Sequence, residues 1–87
     1  MTNEIIINAD GCKTVCGHMA HLLWNYGNGN FFPQKKCAKN NFYVLDFVEF
    51  PQGFRWDIVA GQETREGAEK YMTENRVLVD VTNAPKV

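Results

Sequence analysis

The chain has 87 residues, a mass of 9.9 kDa and a formal net charge of −1, with 45% hydrophobic and 13% aromatic residues. That is enough apolar material for one packed core and too little chain for two, which excludes a mainly disordered polymer and a multidomain protein. A pI near 6.1 excludes general electrostatic attraction to nucleic acid.

The apolar runs are only a few residues long, so no membrane helix is expected. The start, Met1-Thr2-Asn3-Glu4, has no charged-then-apolar leader pattern. The cysteines Cys12, Cys16 and Cys37 are odd in number. Together these features predict a single domain over 1–87, cytoplasmic, with reduced thiols.

Residues 4–8 (E-I-I-I-N) read as a strand, broken by Asn8-Ala9-Asp10-Gly11. Asp10 is then the expected N-cap of a helix over 11–26. Val15, Met19, Leu22, Leu23 and Tyr26 recur on one helical face, and Gly27 fits the C′ position. Residues 27–41 have no period and read as a long loop, with a single turn around Gln34 to Ala38. Residues 42–50 and 54–61 predict a hairpin about Pro51-Gln52-Gly53. A three-residue connection sets Phe50 against Phe54, Val48 against Trp56, Val44 against Ala60 and Glu49 against Arg55. Residues 64–75 predict a second helix capped by Thr64, residues 76–82 a strand, and residues 83–87 a tail.

This β-α-β-β-α-β order predicts an α+β domain: a four-stranded antiparallel sheet with both helices on one face, the ferredoxin-like plan. The alternative is a three-stranded α+β fold that leaves residues 4–8 outside the sheet. In the first plan Val44, Val48, Phe50, Phe54, Trp56, Ile58 and Ala60 face the helices, joined by Ile5, Ile7, Val77, Val79 and Val81. Asp46 is the misfit on that face and needs an edge position or a partner. Tyr43, Leu45, Phe47 and Arg55 then lie on the open face, which is half apolar where a one-sided sheet should be polar. Its acids (Glu4, Glu49, Asp57, Asp80) outnumber its one arginine, which argues against RNA binding there.

Cys12, Cys16, His18, His21 and Cys37 are zinc-ligand types, but on a helix Cys12 and His21 point apart, so no metal and no cofactor are expected. Cys12 in a first helical turn would be the nucleophile of a thiol enzyme, with Asp10 opposing its activation and no histidine within reach along the helix. Charge is uneven along the chain: residues 11–41 hold Lys13, Lys35, Lys36 and Lys39 with no acid, and aromatics lie among them.

The functional expectation is a small non-enzymatic module that binds a larger protein through Tyr43, Leu45, Phe47, Arg55, Lys35, Lys36 and Lys39. The same surface could form a homodimer. Free-standing modules of this size include phage and mobile-element accessory proteins that inhibit a host enzyme or defence complex, an anti-CRISPR-like role being one form. The alternatives are a thiol-dependent enzyme using Cys12 and a nucleic-acid-binding regulator using the Lys35–Lys39 loop.

Overall fold

A computed structural model describes residues 2–26 and 39–85. Its elements are β1 (Glu4–Ile7), β2 (Lys13–Cys16), α1 (His18–Tyr26), β3 (Phe42–Phe50), β4 (Gly53–Gln62), α2 (Arg65–Glu69) and β5 (Arg76–Asp80). The expected cap at Gly27, the turn at Gln34 to Ala38, and Lys35, Lys36 and Cys37 lie outside the described residues.

The first departure from the sequence reading is at 11–16, where a strand replaces the start of the helix. Asp10 does cap, but it caps a hairpin turn: its carboxylate accepts from the Cys12 backbone N–H at 3.0 Å. The turn closes with Asn8 N–H donating to Cys12 O at 2.8 Å and Gly11 N–H donating to Asn8 O at 3.0 Å. Lys13-Thr14-Val15-Cys16 then pairs antiparallel with β1. Gly17 separates strand from helix with φ +91, a conformation that L side chains rarely adopt. A Cβ there would also sit 2.9 Å from the Asn3 Cα. Asn3 in turn caps α1 across the chain, its Oδ1 accepting from the Met19 N–H at 3.0 Å. Val15 and Met19 pack on one core all the same, so an apolar spacing that reads as one helix is divided between a strand and a helix.

The sheet is five-stranded and mixed, in the order β2-β1-β5-β3-β4. β1 and β5 are parallel, with Glu4 opposite Leu78 and Ile5 opposite Val79. The other neighbours are antiparallel. The helices lie on opposite faces. α1 covers Ile5, Ile7, Tyr43, Leu45, Trp56, Val77, Val79 and Val81 through Ala20 and Leu23. α2 covers Phe42, Val44 and Leu78 through Ala68. The α+β class holds, while the four-stranded ferredoxin-like plan and the three-stranded alternative are both corrected. Residues 77–79 and 42–45 are buried on both faces, and such central strands read as continuous apolar runs rather than alternating ones.

The hairpin register is also corrected. Phe50 pairs with Gly53, Phe47 with Trp56, Val48 with Arg55 and Glu49 with Phe54. The turn is therefore Pro51-Gln52, with Gly53 as the first strand residue at φ +151. A one-residue slip moves every side chain of a strand to the other face. Phe54, Trp56 and Ile58 accordingly share a face with Phe47, while Arg55 and Asp57 share one with Val48 and Phe50. A bulge at Val59 restores the expected pairing of Val44 with Ala60. Asp46 finds its partner on β5: Arg76 Nε lies 3.5 Å from its carboxylate.

α2 starts where expected, with Thr64 Oγ1 accepting from the Gly67 N–H at 3.1 Å. It stops at Glu69, six residues short of the expected end. Its apolar side is thin, only Ala68 being buried within it, so little burial offsets the entropy of extending it. Arg65 anchors it to the sheet. Its guanidinium donates to both carboxylate oxygens of Glu4, at 2.8 and 3.0 Å, and lies 3.4 Å from Asp80. The two-pronged bond to Glu4 raises the Arg65 pKa further and joins α2 to β1 and β5.

Candidate interaction surface

Tyr43 and Leu45 are 8% and 2% exposed, in the core beneath α1. Phe47 is half-buried at its margin, with its ring 5.1 Å from Trp56 and 5.2 Å from Phe54. The expected open face is thus a covered one. Its mixed apolar character follows from a sheet with a helix on each side. Arg55 is exposed but lies on the opposite face from Phe47, with Nε 3.0 Å from Asp57 and its guanidinium 4.9 Å from the Phe50 ring centre. Lys39 is exposed just before β3, at the far end of the hairpin from Phe50. Of the expected contact residues, the described ones, Tyr43, Leu45, Phe47, Arg55 and Lys39, do not gather into one patch.

A different set is gathered instead. Five large apolar side chains are exposed among the described residues, and four belong to the β3–β4 hairpin: Phe50 (41%), Phe54 (38%), Ile58 (49%) and Val59 (37%). They surround β4, a ten-residue strand at the edge of the sheet. Among the described residues β4 pairs only with β3, so its outer N–H and C=O groups face outward as a template for another strand. The strand is held firmly from within. Trp56 is buried against Phe47, and β3 also pairs with β5. Sequence reasoning placed Phe50, Phe54 and Ile58 in the core. The slipped register moves Phe54 and Ile58 to the α1 face, and all three side chains lie beyond the cover of the helices, which pack on the inner strands.

Among the described residues the cysteines and histidines form no cluster. Cys12 is exposed in the β1–β2 turn, not in a helical turn. The neighbouring Asp10 pushes its pKa up by hydrogen bonding and by charge, which keeps the thiol protonated. The same contacts, chiefly the Cys12 N–H, pull the Asp10 carboxyl below its ordinary range. Cys16 is exposed on β2, and His18 and His21 are exposed on α1. Among the described residues no group of three or more His, Cys, Asp or Glu side chains could hold a metal ion. No helix among them is long and apolar enough to cross a membrane.

Comparison with protein-family models, curated proteins and solved structures found no match to this chain. Function is therefore argued from the surface itself.

Proposed function

We propose that this domain is a non-enzymatic protein-binding module that engages a larger protein through the outer side of its β3–β4 hairpin. The observation that carries the reading is the concentration of exposed apolar side chains around one long edge strand. Exposed apolar side chains concentrated on one hairpin mark interaction sites, here divided between the two faces of β4, with Phe50 on one and Phe54 and Ile58 on the other. An exposed strand edge adds directional backbone hydrogen bonds to a partner that presents a strand. Phe50, Phe54 and Arg55 are the side-chain types that anchor interfaces, and they sit at the strand end on a rigid aromatic support. The basic segment, including Lys35, Lys36 and Lys39, would act at the rim, tuning association rate and salt dependence rather than affinity. Occupying a host enzyme or defence complex, as a mobile-element inhibitor does, is one action such a surface could serve.

Affinity capture with quantitative mass spectrometry tests this. Phe50→Ala and Ile58→Lys should each deplete the captured protein at all salt concentrations, while circular dichroism and Tm stay close to wild type. Full capture by both folded variants would refute the reading.

A further inference from the structure

The middle of β4 reads Phe54-Arg55-Trp56-Asp57-Ile58. About Trp56 this segment is symmetric in kind and opposite in charge: apolar, cation, tryptophan, anion, apolar. We propose that two copies of the chain dimerise through the outer edges of their β4 strands, paired antiparallel about a two-fold axis at Trp56. This rests on the reading of the hairpin's outer side as an interaction surface, with a second copy covering the strand edge when no larger protein holds it.

In that register Arg55 of each copy stands opposite Asp57 of the other, so the pairing makes two opposite-charge cross-strand contacts. Phe54 stands opposite Ile58 on the other face, again twice. The two side-chain sets do not interfere, because strand alternation puts Arg55 and Asp57 on the α2 face and Phe54 and Ile58 on the α1 face.

The charges also select the register. Sliding by two residues keeps the faces aligned but sets Arg55 against Arg55 in one direction and Asp57 against Asp57 in the other. Sliding by one puts apolar and charged side chains on the same face. Only the Trp56-centred pairing satisfies both faces. Within one chain Arg55 and Asp57 already form an ion pair, with side chains 61% and 45% exposed, so both can reach across the edge. The bulge at Val59 and the turn before Gly53 end the straight stretch on either side. The contact is short, which places the dimer among small and weak interfaces. By isologous symmetry it closes at two copies rather than growing into a fibre.

Sedimentation velocity of the whole chain over a range of concentrations tests the proposal through four proteins: wild type, Arg55→Asp, Asp57→Arg and the double exchange carrying both. Wild type should dimerise with rising concentration. Arg55→Asp meets its own kind with two acids against two acids, and Asp57→Arg with two bases against two bases. Each should raise the dimer dissociation constant by about tenfold or more. An equimolar mixture of the two, and the double exchange alone, should restore dimerisation, because both recreate opposite charges across the edge. Circular dichroism and Tm confirm that each protein is folded.

A wild type that stays monomeric at every concentration overturns the proposal. So does a dimer unaffected by the single exchanges, or one not restored by mixing. If the monomeric wild type still captures a larger protein in an Ile58-dependent manner, the second copy is ruled out while the surface stands. If a β4-dependent dimer forms but no larger protein is captured, the second copy stands and the larger partner does not.

Discussion

The two edges of the sheet are built to opposite ends. β2 is four residues long and exposes Lys13, Thr14 and Cys16. Its lysine folds inward, with Nζ 4.4 Å from the Trp24 ring centre. Shortness and a lysine are devices that stop a strand edge from recruiting another chain. β4 is ten residues long, exposes Phe54, Ile58 and Val59, and among the described residues has only the bulge at Val59 and the Arg55–Asp57 pair to temper it. One edge is thus guarded and the other left apolar. The guarded edge also holds the helix: Gly17 and Asn3 join β2, β1 and α1 within a few ångströms.

The largest expected effect breaks the β2 side. Gly17→Ala combines a positive φ with a clash against the Asn3 backbone, and should destabilise the domain by about 2 kcal/mol or more in chemical denaturation. A silent substitution would mean that the strand-to-helix junction can rearrange.

Arg65→Ala comes next. It removes the two-pronged bond to Glu4 and leaves that carboxylate beside Asp80, whose Oδ1 still accepts from the Thr82 N–H at 2.9 Å, and should cost about 2 kcal/mol. Chemical denaturation measures the loss; a silent substitution would show that these ion pairs do not hold α2 to the sheet.

On the β4 side, Gly53→Ala meets no steric obstacle but must adopt φ +151, and should cost about 1 kcal/mol. Its unfolding midpoint separates a glycine required by conformation from one that is incidental.

The smallest effect is on reactivity. Asp10→Asn removes the charge that raises the Cys12 pKa, so more thiolate exists at a given pH and alkylation of Cys12 should accelerate severalfold near pH 7–8. Peptide mass mapping after a timed alkylation reads this directly, and an unchanged Cys12 rate would show that the carboxylate does not control it. The sign for Asp10 itself is the reverse. Its lowered pKa contributes stability above its unfolded value, lost as pH falls through the folded one.

Much of the local structure was legible in the sequence. β1, the β3–β4 hairpin, β5 and the Thr64 cap stand where β-branched runs, turn residues and capping chemistry place them. Val77, Val79 and Val81 share the buried face that their alternation predicts. The need for a partner at Asp46 was legible too, since a carboxylate among valines on one face demands one, and Arg76 meets it. Residues 13–16 were not legible as a strand, because Val15, Met19 and Leu22 satisfy helical spacing whether or not the backbone between them is helical. What divides them is a left-handed glycine, whose conformation no periodicity reports.

The interaction surface divides in the same way. The sequence by itself determined that the hairpin alternates, that opposite charges flank Trp56, and that the chain holds more apolar residues than a one-sided sheet can hide. Only the tertiary structure decided which face each residue takes. A loop shortened by one residue flips a whole strand, and the packing each face then meets comes from helices that the hairpin sequence does not contain. Tyr43 is buried because α1 covers its face, and Ile58, on the same face, stays exposed because it lies on the edge strand outside that cover. Helices on opposite faces cover the inner strands, and among the described residues most of the exposed large apolar side chains fall on the β3–β4 hairpin at the sheet's edge.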